Sequence, residues 1–477
     1  MKLRLQLLIE SDAGEIVTTQ DVAELERHSF APEEVGLTLA EARQMLGGVQ
    51  RTMVQEQLTE YIAEQSQCRD CGRPLARKGQ HEIVFRTLFG QLRLYSPRLY
   101  SCSCRQVGPA SFSPVAQQLP ERTAPELVYL ETKFAALMSY GLTVDILSEV
   151  LPIGDQLNTR SIRRQLSRSA ERMENELGEE QWAFIEGCQR DWNQLLRPDP
   201  PLTVGLDGGF VHARDQPSRS EGWFEVIVGK SMPSEGESKC LAFVQTYDQK
   251  PKRRLFELLR SQKMQMNQQI TFLTDGGEDI RDLPQFINPE AEHILDWFHI
   301  TMRLTLMGQM AKGLPVTPQQ SEDDDSCETL DTARIHKNLE RLKWYLWHGN
   351  VYQALQRIDF WVWDLEDWEE ESETAAKLLT AVREFGHYIE VNRKSIPNYG
   401  DRYRHNETIS TSFVESAVNQ VVSKRMVKLQ QMRWTKRGAH LLLQVRTRAL
   451  NGDLRNTFRN WYPGLGPNQQ VVQPSAA

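Results

Sequence analysis

The chain has 477 residues, 40% of them apolar and 25% charged, with a formal net charge of −8. That mix fits a globular protein with material for about three domains at ~150 residues each. No apolar run approaches the ~20 residues a membrane-spanning helix needs, so no such helix is expected.

The first ten residues, "MKLRLQLLIE", alternate polar and apolar side chains and carry charges at Lys2, Arg4 and Glu10. Such a pattern predicts a strand and not a signal peptide. A cytoplasmic location is expected, where the seven cysteines stay reduced unless a metal takes them. A helical stretch, "EEVGLTLAEARQMLGGVQRTMVQEQLTEYIAEQ", completes a mixed region over 1–65.

Residues 66–115 follow, with short strand-like runs around two cysteine pairs, "CRDCGRPL" and "YSCSCR". Cys68 and Cys71 stand about thirty residues before Cys102 and Cys104, the arrangement of a tetrahedral thiolate site. Gly72 follows the first pair, as a tight knuckle turn requires. Four thiolates leave no position open for substrate, so one structural Zn²⁺ in a zinc ribbon is the expectation.

From 124 to about 196 apolar residues recur three and four apart, predicting helices. Within them lies a helix-turn-helix candidate: an apolar helix around Val144–Leu151, a turn at Pro152–Ile153–Gly154, and a second helix capped by Asn158 or Thr159. Ile162 and Leu166 should face the first helix, leaving Arg160, Arg163, Arg164 and Arg168 outward, toward a DNA groove or its phosphates. "RPDPP" at 197–201 then reads as a linker.

Three strand signals come next: "LTVGLDGGFVHA", "GWFEVIVGKSM" and "KCLAFVQTYD". They are followed by a helix "KPKRRLFELLRSQ", a strand "QITFLTDGG" and the segment "AEHILDWFHI". A meander followed by helix–strand alternation predicts a mixed sheet with helices on its faces. Residues 316–331 form an acidic loop, and 332–395 return to helix with Trp344, Trp347, Trp361, Trp363 and Trp368. Tryptophans in a helical run are expected in the core more than as base-stacking platforms. After the break at "SIPNYGDR", a long helix should start near Ser412.

Charge is unevenly distributed. Residues 401–477 hold twelve Lys/Arg against four Asp/Glu, while 321–374 hold fifteen acidic residues against five basic ones. Opposed blocks in one chain suggest a nucleic-acid partner on the basic part.

Asp207 sits inside an apolar strand, "TVGLDGGFV", where an ionised carboxylate costs several kcal/mol unless it is compensated. Asp275 ends another apolar strand and is likewise followed by two glycines. On neighbouring strands the two could converge, and a carboxylate from a helix, Glu415 in "STSFVESAVNQ", would complete an oxygen cage. Asn419 lies one turn below Glu415, and Lys424, Arg425, Lys428, Arg433, Lys436 and Arg437 extend toward a DNA backbone. Such a cage suits two Mg²⁺ (or Mn²⁺) ions. Each aspartate taken alone could equally cap an Asp-Gly turn.

These residues resemble the aspartate-aspartate-glutamate triad of cut-and-paste transposases with a ribonuclease-H-like core. "LDWFHI", with Asp296 and His299, is similar to the aspartate-x-x-histidine signature of Mutator-like transposases. The tail "QMRWTKRGAHLLLQVRTRALNGD", with Trp434, looks like the bacterial insertion-sequence transposases of the ISKra group. The resemblance implies an α+β multidomain fold. A zinc ribbon (66–115) and a helix-turn-helix region (124–196) would precede a ribonuclease-H-like mixed α/β core (200–312 and 405–460). An all-helical insertion with its acidic loop (313–404) would interrupt that core, and a tail (461–477) would follow. It implies a DNA transposase that binds terminal inverted repeats, hydrolyses a phosphodiester and joins the freed 3′-hydroxyl to target DNA. Double-stranded DNA, a homodimer or larger assembly, and a place on a bacterial nucleoid come with that reading. A transposase-derived DNA-binding regulator and a ribonuclease-H-fold nuclease remain the alternatives.

Overall fold

The computed structural model describes residues 1–10, 14–104, 109–153, 157–184, 187–198, 201–214, 222–233, 235–277, 283–288, 290–314, 332–366, 372–428 and 433–466. The expected acidic loop, Gly154 and Trp368 lie outside them. No helix among the described residues is long and apolar enough to cross a membrane. The chain forms two compact units, Met1–Glu171 with Gly452–Ala477, and Arg172–Asn451.

In the first unit, β1 (Lys2–Glu10) and β2 (Ile16–Glu26) make an antiparallel hairpin. The helix Leu39–Gln65 opens on a capping box between Thr38 and Glu41. Strands β3 (Arg77–Thr87), β4 (Gly90–Tyr100) and β5 (Ser111–Phe112) form an antiparallel sheet. Ile83, Leu92, Leu94 and Val115 are its core. Three helices follow, Pro125–Leu137, Tyr140–Val150 and Thr159–Glu176. Beyond Glu176 the predicted helical pattern survives only as one turn, Gln189–Trp192, and Phe184 stacks on Phe256 at 4.8 Å. The helix Leu454–Trp461 belongs with this unit and not with the core, where the sequence placed it, because Phe458 packs edge-on against Tyr129 at 5.5 Å.

The second unit is built on a five-stranded sheet. Strands β6 (Leu202–His212), β7 (Trp223–Met232) and β8 (Lys239–Val244) form an antiparallel meander. β9 (Ile270–Thr274) runs parallel to β6, and β10 (Glu292–Leu295) runs parallel to β9. The order β10–β9–β6–β7–β8 places β6 at the centre. Alternation along β6 gives its two faces different work. Val204 and Leu206 join the helix Pro251–Ser261, through Leu255, Phe256 and Leu259, in an apolar core. Gly205, Asp207 and Gly209 line the opposite face, where the helix Ser412–Val418 lies.

Helices Trp297–Ala311, Thr332–Trp347, Val351–Glu366 and Glu373–Val391 share a second core, centred on Leu342, Ile358, Trp361, Leu378 and Phe385. Trp361 is buried and Trp347 half-buried, as a core role requires, but Trp344 and Trp363 are exposed. The long helix expected from Ser412 also departs from the prediction. It is α-helical only to Val418 and continues as a π-helix over Asn419–Val427. Such segments are rare and recur at functional sites. The buried guanidinium of Arg446 donates to the carbonyls of Gln420 and Val421 within it.

Candidate active site and metal centre

Glycines bring the carboxylates together. A Cβ at Gly205 would lie 2.2 Å from Val414 Cγ2, and one at Gly209 would lie 3.0 Å from Val418 Cγ1. The helix Ser412–Val418 therefore rests directly on the strand, on the face that presents Asp207 between the two glycines. Glu415 sits on that helix, its N–H donating to the carbonyl of Thr411. β9 adjoins β6, so Asp275, one residue beyond the strand end, comes to the same sheet edge.

The electrostatics of Asp207 report this convergence. Burial pushes its carboxyl above the usual range, with the Asp275 and Glu415 charges adding to the effect. The Gly208 N–H, at 2.8 Å from Oδ1, and His299 oppose it. Asp207 thus feels Asp275, Glu415 and His299. Asp275 Oδ1 accepts the Gly277 N–H at 3.0 Å, with Gly276 in the left-handed region at φ 83°. Asp275 makes the turn bond that the simpler reading requires, whereas Asp207 lies within the continuous strand β6 and caps no turn; each uses one carboxylate oxygen to accept a nearby glycine N–H.

The motif around Asp296 supplies a buried scaffold. Asp296 is 0% exposed and caps the helix Trp297–Ala311, Oδ1 accepting the Phe298 N–H at 2.8 Å. Its Oδ2 accepts the Thr411 hydroxyl and lies 3.7 Å from His299 Nε2. Thr411 begins the helix of Glu415, so one carboxylate ties the histidine to that helix. Sequence reasoning did not single out Thr411 or Tyr388. The Tyr388 hydroxyl donates to the Asp275 carbonyl at 2.9 Å, and the Arg303 guanidinium lies 4.2 Å from its ring centre. Only the bare pattern of a Thr before the Ser-Phe-Val-Glu helix hinted at the first; nothing local marked the second.

Asn419 Oδ1 accepts from Lys428 Nζ at 2.9 Å. Trp434 is buried and extends the far end of β6, its N–H donating to the His212 carbonyl at 2.9 Å. Lys424, Lys428, Arg433, Lys436 and Arg437 are exposed, whereas Arg425 is wholly buried with its guanidinium 5.5 Å from the Trp434 ring centre. Arg425 is therefore corrected from a DNA-facing residue to an internal one, buried within the π-helix Asn419–Val427. In the first unit, Asn158 is the cap, Oδ1 accepting the Ser161 N–H at 2.9 Å. Ile162 and Leu166 are buried, and Arg160, Arg163, Arg164 and Arg168 are exposed. Arg164 and Arg168 also border a small cavity of about 40 Å³ that holds Glu121 and Glu131. Burial pushes Glu131 up to about 7 against the pull of Arg86 and Arg164.

Two groups among the described residues have ligand atoms all within 4.8 Å of one another: Cys68, Cys71, Cys102 and Cys104, and Glu174, Asp248 and His440. The cysteines fit a metal. Cys68 Sγ lies 3.5 Å from Cys104 Sγ, and Cys71 Sγ lies 3.5 Å from Cys102 Sγ. The knuckle closes through Gly72 N–H to the Cys68 carbonyl at 2.8 Å, with Gly72 at φ 70°. Backbone N–H groups of Asp70 and Cys71 draw Cys68 down to about 6, while the neighbouring sulfurs push Cys104 up to about 12. Four thiols so close cannot all ionise unless a cation offsets the charge. The second group does not fit, because Arg254 already supplies the cation. Its guanidinium bonds both oxygens of Asp248 and both of Glu174 at 2.9 to 3.0 Å. The carboxylates of Asp207, Asp275 and Glu415 do not all lie within 4.8 Å of one another.

No protein-family model matches the chain, and no curated protein matches it. Among solved structures it is similar to the Drosophila P element transposase strand transfer complex, at 9% identity over 71% of this chain and 80% of that one. The TM-score of 0.22 marks a distant likeness, too slight to transfer a mechanism.

Proposed function

We propose that the chain is a metal-dependent DNA transposase whose ribonuclease-H-like core carries Asp207, Asp275 and Glu415 as its catalytic carboxylates. The observation behind this reading is the packing of the Glu415 helix onto Gly205 and Gly209, on the strand face that holds Asp207. The sheet order, an antiparallel meander joined at its central strand to two parallel strands, supports it as well.

Asp207, on the central strand, would be shared by two ions, with Asp275 and Glu415 completing their ligands. Bound Mg²⁺ or Mn²⁺ would activate a water or a 3′-hydroxyl and stabilise the leaving oxygen. His299, held at 3.7 Å from buried Asp296, would position a phosphate oxygen beside the carboxylates. The exposed Lys424, Lys428, Arg433, Lys436 and Arg437 would hold the DNA backbone, and the zinc ribbon and Arg160, Arg163, Arg164 and Arg168 would recognise the element ends. Synapsis of two ends would require at least a dimer.

A strand-transfer assay on a duplex carrying the element's end tests the proposal. Cleavage followed by joining, lost in Asp207→Asn, supports a transposase. Cleavage without joining points to a nuclease, and end binding without cleavage points to a regulator.

A further inference from the structure

The most acidic part of the chain contains a cationic groove. Residues 321–374 hold only five basic side chains, Arg334, Lys337, Arg341, Lys343 and Arg357. Four of them, all but Lys343, border a single groove of about 200 Å³ between the helices Thr332–Trp347 and Val351–Glu366. Asp364 is the one carboxylate in its lining, and Arg334 pairs with it at 3.1 Å. Scattered surface charge would not converge this way.

Helix spacing explains the convergence. Arg334, Lys337 and Arg341 follow one another at three and four residues, so they stack on one face over about 10 Å. Trp344 continues the same row, exposed and stacked on His348 at 4.8 Å. Across the groove, Arg357 and the exposed Phe360 lie three residues apart. Arg357 Nε is buried without a hydrogen-bond partner among the described residues, so its charge is not offset by a neighbouring acceptor at that atom.

We infer that this groove binds a single nucleic-acid strand, its phosphates on Arg334, Lys337, Arg341 and Arg357 and an unpaired base on Trp344 or Phe360. A 10 Å row of cations is longer than one phosphate needs and suits a strand carrying a charge every ~3.4 Å of helix axis. Exposed aromatic side chains interleaved with cations are the platform on which unpaired bases stack. The inference rests on the groove itself. It assigns the helical insertion a strand-holding role whether or not Asp207, Asp275 and Glu415 are catalytic.

The test uses the full chain without divalent metal, so that it reads the groove and not the chemistry. A single-stranded oligonucleotide carrying 5-iododeoxyuridine is photocrosslinked, and the modified peptide is identified by mass spectrometry. Crosslinks to Trp344 or Phe360 are expected. In a salt series, Lys337→Ala/Arg341→Ala should lower the slope for the single strand by about 1.4, at ~0.7 per cation. Phe360→Ala and Trp344→Ala together should weaken binding about five- to 150-fold, the equivalent of ~1–3 kcal/mol for one stacked base. The same loss with RNA and DNA strands assigns the site to phosphodiester strands in general; loss with DNA alone assigns it to DNA. Crosslinks confined to other regions, or an unchanged salt slope, overturn the inference. Equal loss of duplex binding, or competition by millimolar inorganic phosphate, also overturns the single-strand assignment. Lys343→Ala, on the same helix but outside the groove, should leave these readouts unchanged; cleavage by Asp207→Asn is read separately, so failure of the groove and failure of the catalytic reading are told apart.

Discussion

Replacing Gly205 by alanine should disable chemistry while sparing DNA binding. The added Cβ would stand 2.2 Å from Val414 Cγ2 and 2.7 Å from Phe413 Cζ, both on the helix that carries Glu415. Restoring the 3.4 Å of ordinary contact means lifting Val414 by about 1.2 Å. Overpacking of that size costs about 1–3 kcal/mol of stability, and a ~1 Å misplacement of a reacting group costs about 100-fold in rate. Gly209→Ala meets Val418 at 3.0 Å and demands a shift of only about 0.4 Å, so its loss should be several-fold at most. Gly141→Ala, with nothing within 4 Å of the new methyl, is the control. Single-turnover cleavage of an end-containing duplex, alongside its binding by anisotropy, measures the series. Gly205→Ala cleaving at the wild-type rate would refute the reasoning. So would cleavage and binding falling by the same factor, since the helix would then matter for folding alone.

Asp207→Asn, Asp275→Asn and Glu415→Gln should each abolish cleavage and leave end binding intact, as read by the same two assays; normal cleavage by any one removes that residue from the triad. Without metal, Asp207→Asn should unfold at a higher temperature than the wild type near neutral pH. Burial raises the folded-state ionisation of Asp207, so its charge destabilises the fold increasingly as pH rises above the ordinary carboxylate range. Added Mg²⁺ should narrow the difference. Glu131→Gln should stabilise the first unit by roughly 3 kcal/mol at pH 8, the equivalent of moving from an ordinary 4.5 up to about 7. That gain should fade as pH falls through 7 and vanish below 4.5, where both states of the wild type are protonated, as checked by denaturant unfolding across pH. Elemental analysis should find one Zn²⁺ per chain, and Cys68→Ser should abolish it and expose the region around β3 and β4 to proteolysis. Arg163→Ala should relax discrimination between end and random DNA by about 1–3 kcal/mol, whereas Lys436→Ala should weaken both alike and reduce the salt slope by about one unit.

How much of this was legible depended on how local each signal was. The cysteine pairs could be read because knuckle geometry is written within a few residues, down to Gly72. The strands β6 to β9 could be read from their apolar runs. The glycines beside Asp207 were visible, but their role was not. Gly209 reads as part of an Asp-Gly turn and Gly205 carries no signal until a helix two hundred positions later is seen lying on them. Tyr388 and Thr411 were missed for the same reason, since each acts on a partner more than a hundred residues away. The π-helix over Asn419–Val427 also had no local signature. The residues there satisfy an α-helical pattern equally well, and only their packing decides the register.

That register changes what the basic carboxy-terminal segment can do. Its excess of eight positive charges over 401–477 suggested one broad nucleic-acid face. In the structure the cations divide. Arg425 and Arg446 are buried, and their proximity together with desolvation lowers Arg446 to about 10. Arg402 is committed to Glu292 and Glu407, and Arg404 to Asp401. Arg455 lies over the Tyr129 ring, in the first unit. The exposed cations left near Glu415 in sequence are Lys424, Lys428, Arg433, Lys436 and Arg437, and Lys428 bonds Asn419, one helical turn beyond that carboxylate. The charge that this segment could offer DNA is therefore smaller than composition suggests, and what remains exposed lies near Glu415 in sequence. On the proposed reading these cations would hold a phosphodiester near the carboxylates, and recognition of sequence would fall to the residues of the first unit.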